Sequence, residues 1–106
     1  MAEILLFVSS NCPHCPKAAS VARKIIPEFD EQNLYYEKIR MKTQQGKDLA
    51  SSYAVNAFPT MLLFDDEGNI KYKITGVPSK DSLRNKIQKL LGLKKSFFSK
   101  LFNKED

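Results

Sequence analysis

Two cysteines stand three positions apart in a chain of 106 residues, as Cys12-Pro13-His14-Cys15, and the sequence holds no others. Thiols at that spacing can form and break a small disulfide ring by exchange, or they can share a metal ion or an iron–sulfur cluster. A purely structural staple is the weakest use, because so small a ring removes little entropy from the unfolded chain. Folds held by disulfides carry more cysteines, spaced to close longer loops. With one histidine in the chain, a single protomer offers three soft ligands, short of a closed zinc site. The metal reading therefore asks for a site shared between two copies.

The exchange reading asks for a stabilised thiolate, since that form is the nucleophile. The motif falls where an apolar run, Ile4–Val8, gives way to a helical pattern. A thiol there meets unpaired helix N–H groups and the positive end of the helix dipole. Cys12 is thus expected to attack, and Cys15, one turn on, to close the ring and expel the bound partner. Pro13 is expected to preorganise the first turn. Pro16 has no N–H to offer the Cys12 carbonyl, which predicts a free carbonyl or a distorted turn. His14 between the sulfurs would donate to the Cys12 thiolate or stabilise its charge, lowering the thiol pKa and giving a more oxidising couple. The plainer reading of His14 is a solvated turn residue.

The elements that must position this motif follow from pattern. Ile4–Val8 reads as a strand buried on both faces. Ser9-Ser10-Asn11 supplies capping chemistry for a helix whose apolar positions are Ala18, Val21, Ala22, Ile25 and Ile26, with Pro27 ending or kinking it. Leu34–Ile39 is a second strand, Thr43 caps a short helix through Tyr53, and Thr60–Phe64 is a third strand. Residues 65–69 form a hairpin loop into a fourth strand, with Ile70, Tyr72 and Ile74 on one face. Ser79 caps a last helix with Asp81 in its first turn and a stripe of Leu83, Ile87, Leu90 and Leu91, closed by Gly92. The order β-α-β-α-β-β-α predicts an α/β, three-layer fold around a mixed four-stranded sheet. The domain is expected over residues 1–92, with 93–106 as a basic amphipathic tail.

Charge supports that division. The net of +5 combines seven basic against nine acidic residues in positions 1–70 with ten against three in 71–106. The basic excess belongs to the last helix and tail, and no aromatics interleave with it in a nucleic-acid-binding pattern, so no nucleic-acid partner is expected. Lys80, Arg84, Lys86 and Lys89 read as a solvated helix face. In the tail, Leu93, Phe97 and Leu101 share one face, which predicts a docked helix or, alternatively, a segment that meets a membrane surface or a partner. The acidic start Met1-Ala2-Glu3 and the five-residue apolar run after it do not match a signal peptide, so a reducing, cytoplasmic location is expected.

At this point a resemblance becomes specific. A strand ending in Cys-X-X-Cys, then Phe58-Pro59-Thr60 leading into a second solid apolar strand, then the hairpin, Gly76 and Ser79-Lys80-Asp81-Ser82-Leu83, resembles the thioredoxin superfamily over residues 3–91. The resemblance implies that Cys12 is the attacking thiol and Cys15 the resolving one. It implies a cis Phe58–Pro59 bond facing the disulfide, and a substrate chain that pairs with the backbone at Phe58 by strand addition, with Thr60 opening the strand and Gly76 beside the same groove. Two departures stand out. Typical thioredoxins have Gly-Pro between the cysteines and a buried Asp six residues before the first, where this chain has Pro13-His14 and Leu6. Water or His14 would have to accept the Cys15 proton. The Pro-His pair is similar to that of periplasmic disulfide oxidases, whose inserted helical domain does not fit in this length. The short first strand is more like glutaredoxins and small archaeal thioredoxin-like proteins, but the glutathione signature of glutaredoxins is not evident.

The expected activity is therefore thiol–disulfide exchange that reduces protein disulfides. The chain would act as a monomer with no cofactor beyond the Cys12–Cys15 disulfide, and would be recycled by a flavin-dependent reductase or a glutathione system. The alternatives are a glutathione-coupled reductase of glutaredoxin type and a metal or iron–sulfur binding module.

Overall fold

A strand with an unbroken apolar run needs cover on both sides, and β1 (Ala2–Val8), apolar from Ile4 to Val8, has it. Ile4 and Leu6 point into one core cluster, Leu5 and Phe7 into another, and all four are buried. Full burial of each such side chain stabilises the fold by roughly 1.5–3 kcal/mol, so β1 alone ties the two layers together. The computed structural model describes residues 1–92; the amphipathic tail expected over 93–106 lies outside the described residues.

The sheet runs in the order β2-β1-β3-β4, with β2 (Leu34–Arg40), β3 (Thr60–Phe64) and β4 (Ile70–Thr75). β1 and β2 are parallel, and β3 is antiparallel to both β1 and β4. Helices α1 (Cys15–Ile25) and α3 (Lys80–Leu90) cover one face, through Ala18, Ala22, Ile25, Leu83 and Ile87 packed on Ile4, Leu6, Met61 and Leu63. Helix α2 (Gln44–Ser52) covers the other, where Ala50 and Val55 meet Leu5, Phe7, Leu62 and Phe64. The result is the three-layer α/β arrangement with a mixed four-stranded sheet.

Local chemistry explains most of the boundaries. The Thr43 hydroxyl accepts from the Gly46 N–H at 2.9 Å, and the Ser79 hydroxyl from the Ser82 N–H at 3.0 Å, so both helices start at side-chain caps. After α1 the chain tightens into a 3-10 helix, Ile26–Gln32, around Pro27, and buries Phe29 before Asn33 turns it at φ 61°. That 3-10 segment is tied to α3 by Glu28, whose carboxylate receives two bonds from the Arg84 guanidinium at 2.7 and 2.9 Å. Arg84 also donates to Asp81 at 2.8 Å. These partners hold the guanidinium above its ordinary pKa, the Glu28 hydrogen bond foremost. Arg84 is thus not simply part of a solvated face, and Lys86, 6.0 Å from the Tyr72 ring centroid, is half-buried.

One strand expectation fails. Ile70 does not share the inner face of Tyr72 and Ile74: it is exposed, while those two pack on the α1/α3 core. The register shifts between Leu63 and Phe64, so that Leu63 pairs with Tyr72 but Phe64 with Ile70. The extra residue of this bulge turns Ile70 to the opposite face.

Candidate active site

The functional residues gather because three chain segments meet at one end of the sheet. β1 leaves the sheet at Val8 and runs through residues 9–14 to α1. In the antiparallel register Phe7 lies opposite Thr60, and Thr60 opposite Thr75. The loop carrying Cys12, the Phe58-Pro59-Thr60 segment and the β4 exit at Gly76 therefore share that end. Gly76 donates its N–H to the Pro59 carbonyl at 2.9 Å, and the buried Thr60 hydroxyl donates to the Ala57 carbonyl at 2.7 Å. The Phe58–Pro59 peptide is cis and Pro59 is fully buried. Phe58 is half-buried and packs toward the α2-side cluster.

Cys12 and Cys15 are joined as a disulfide, with Cα atoms 5.4 Å apart. The two cysteines sit in different surroundings: Cys12 is half-buried, whereas Cys15 is 5% exposed and belongs to the buried side of α1. Attack from solvent is sterically easier at Cys12, and the sulfur left behind, Cys15, stays against the core. This asymmetry fits an exchange in which the outer sulfur meets the substrate and the inner one resolves it.

The helix start differs from the sequence expectation. The serines and Asn11 do not cap α1; its N-cap is His14, with no side-chain cap bond, and Cys15 is the first helical residue. Pro13 precedes the helix, and the proline within its first turn is Pro16. The physical reason lies in Pro16, which offers no N–H for a cap to bind and suits the opening turn of a helix. The Cys12 carbonyl is not free either, because the Cys15 N–H donates to it at 3.4 Å. Cys12 thus stands before the helix, and the first-turn N–H groups lie on its C-terminal side. His14 is exposed, and its side chain takes no part in the cap.

Beside the disulfide lies a cavity of about 320 Å³ that both cysteines line together with Ser9, Ser10, Arg23 and Lys38. Sequence reading passed over the last two. Lys38 lies opposite Leu6 in the parallel β1–β2 register, on the face covered by α1. Its alternation with Leu34 and Tyr36 along the strand was the available signal. Arg23, near the end of α1, also acts on Tyr36, whose hydroxyl is held above its usual pKa by burial while the Arg23 charge pulls it down. Leu6, six residues before Cys12, is fully buried in the α1-side core cluster. Among the described residues, no three of His, Cys, Asp and Glu gather as a metal-binding group.

Comparison with known proteins places these features. The family model described as Thioredoxin matches residues 2–89. A probable thioredoxin of Archaeoglobus fulgidus is 33% identical over 92 residues, covering 87% of this chain and 92% of that protein. A thioredoxin of Methanocaldococcus jannaschii is 31% identical over 90 residues, covering 84% and 95% respectively. The crystal structure of thioredoxin O2 from Arabidopsis thaliana in its oxidised state superposes with a TM-score of 0.74 over 86% of this chain and 76% of that one, at 19% identity.

Proposed function

The chain belongs to the thioredoxin family and is a thiol–disulfide oxidoreductase, and we propose from that premise that it works as a reductase of protein disulfides. The observation that carries the reading is the asymmetric pair: Cys12 is the more exposed cysteine and Cys15 the buried one. In the reduced protein the Cys12 thiolate attacks a substrate disulfide, forming a mixed disulfide and releasing one substrate thiolate. Cys15 then attacks Cys12, so that the second substrate thiol leaves and the protein disulfide re-forms. Two electrons pass from the pair to the substrate at each turn.

The substrate is held by its backbone. An extended chain pairs with the main chain at Phe58, beside Pro59, with Thr60 and Gly76 fixing that edge through their bonds to Ala57 and Pro59. Pro13 and His14 tune the couple. No cofactor beyond the disulfide takes part. The oxidised pair is returned to the dithiol by a flavin-dependent reductase or a thiol system such as glutathione, in the cytoplasm, and the protein acts as a monomer.

The test joins activity to potential. The purified protein is expected to accelerate insulin-disulfide reduction by dithiothreitol and to carry no stoichiometric zinc or iron. A Cys12/Cys15 potential near about −270 mV supports the reducing direction, while one near about −120 mV would assign the protein to disulfide formation instead. Bound metal together with no acceleration would replace the exchange reading with the metal-module one.

A further inference from the structure

Phe58, Pro59 and Gly76, where a protein substrate's backbone would pair, do not line the cavity beside the disulfide. Its volume of about 320 Å³ is at the small end of ligand-binding clefts. Among the described residues its two charged lining residues, Lys38 and Arg23, are both cationic and no carboxylate lines it, while Ser9 and Ser10 add hydrogen-bonding groups. Among the described residues neither cation is in a salt bridge, although three other cationic side chains or termini are. Two cations sharing one concavity repel each other, and an anion between them relieves that repulsion. An arginine beside a lysine suits a carboxylate, which the guanidinium grips in the plane and the ammonium as a point charge. The same cavity reaches both redox cysteines.

We propose that this cavity binds a small thiol that carries a carboxylate, and that such a thiol reduces the Cys12–Cys15 disulfide from within it. The proposal rests on the exchange activity set out above and names its small-molecule partner. The carboxylate sits between Lys38 and Arg23 and brings the thiolate to the disulfide. The thiolate attacks Cys12, a bond forms between the two sulfurs, and Cys15 departs as a thiolate. A second thiol attacks the mixed disulfide, releasing a symmetric small-molecule disulfide and leaving Cys12 reduced. Two thiols lose one electron each, the protein disulfide gains two, and the two thiol protons pass to solvent or to the cysteines. The two cations also favour the departing thiolate of Cys15.

A charge series of small thiols tests this. Oxidised protein is mixed with 3-mercaptopropionate, 2-mercaptoethanol or cysteamine at low ionic strength. Reaction is stopped with acid at timed intervals, and free protein thiols are counted by a maleimide mass shift, each rate being referred to thiolate concentration. The anionic thiol is expected to react about tenfold faster than the neutral one, the low end for a cleft lined by one sign of charge, and the cationic thiol more slowly. The ratio of anionic to neutral rates should fall to about one in Lys38→Gln/Arg23→Gln, and should be kept by Lys38→Arg. It should also be kept by Lys47→Gln/Lys89→Gln, which removes the same net charge elsewhere. A ratio near one in the parent protein, or one that falls equally in both double variants, overturns the proposal. Insulin reduction by dithiothreitol, measured in parallel, reports separately on the exchange activity itself.

Discussion

The Gly76 N–H donates to the Pro59 carbonyl at 2.9 Å, which fastens the exit of β4 to the segment that opens β3. Gly76 makes that bond from φ +91°, a conformation that side chains bearing a Cβ rarely adopt. A Cβ built there would meet nothing within 4 Å, so any cost of Gly76→Ala is a backbone cost. The variant is expected to lose roughly 1–2 kcal/mol of stability, the penalty for a non-glycine residue in left-handed space. The urea midpoint should fall with an unchanged m-value. An unaltered midpoint would mean that this turn can relax and that Gly76 is not what holds the edge in place.

The different burial of the two sulfurs makes a directional prediction. Cys15→Ser leaves the more accessible Cys12 as the nucleophile and should accumulate mixed disulfides with protein substrates, located on Cys12 by peptide mass mapping. Cys12→Ser leaves only the buried sulfur and should trap far less. Insulin reduction should be lost in both, because neither variant can close the ring. Equal trapping by both variants would show that burial does not set the roles.

What the sequence alone could say about this fold depended on how local each determinant was. β1 was readable as a doubly covered strand because Ile4, Leu5, Leu6 and Phe7 are all apolar, and each face is in fact covered. The caps at Thr43 and Ser79 were readable because a cap is a contact within three residues. Ile70 was misplaced because a bulge depends on how β4 pairs with β3, and its own alternating pattern contains no trace of it. The start of α1 was misplaced because three polar residues looked like caps, whereas the helix begins at Cys15, just before Pro16. The Glu28–Arg84 pair joins residues 56 apart, and Lys38 meets the cysteine cavity only through the β1–β2 register. Neither contact follows from spacing.

Gly46 offers a case where an ordinary rule should reverse its sign. Within a helix, alanine is usually favoured over glycine by about 1 kcal/mol. Gly46 sits in the first turn of α2, where a Cβ would run into the Arg40 carbonyl and crowd the Thr43 hydroxyl that caps the helix. Backbone is the obstacle, and the carbonyl is already bound by the Thr43 hydroxyl at 3.0 Å and the Thr43 N–H at 3.2 Å. Gly46→Ala should therefore destabilise the protein by about 1–3 kcal/mol, the range for overpacking. A thermal midpoint at or above that of the parent would show that α2 can shift away from β2 at little cost.

The hairpin between β3 and β4 carries a pH dependence whose sign can be fixed. The Asp65 carboxylate accepts from the Glu67 N–H at 2.9 Å and the Asn69 N–H at 3.0 Å. The backbone bond from Asn69 is the largest cause holding its pKa below the ordinary carboxylate value, with the Glu67 N–H and Lys71 adding to it. A depressed pKa in the folded state means that the unfolded chain binds the proton more readily. The stabilisation is present above the unfolded value of about 3.9 and is lost as pH falls through the folded value. In Asp65→Asn the side-chain oxygen can accept the same two N–H bonds but carries no charge to lose. The parent should be the more stable of the two at neutral pH, and the gap should close as pH drops from about 5 toward 2, once the Asp65 carboxyl is protonated. Urea midpoints for both proteins across that interval provide the measurement. A gap that stays constant or widens toward acid would exclude Asp65 as a contributor to the acid limb.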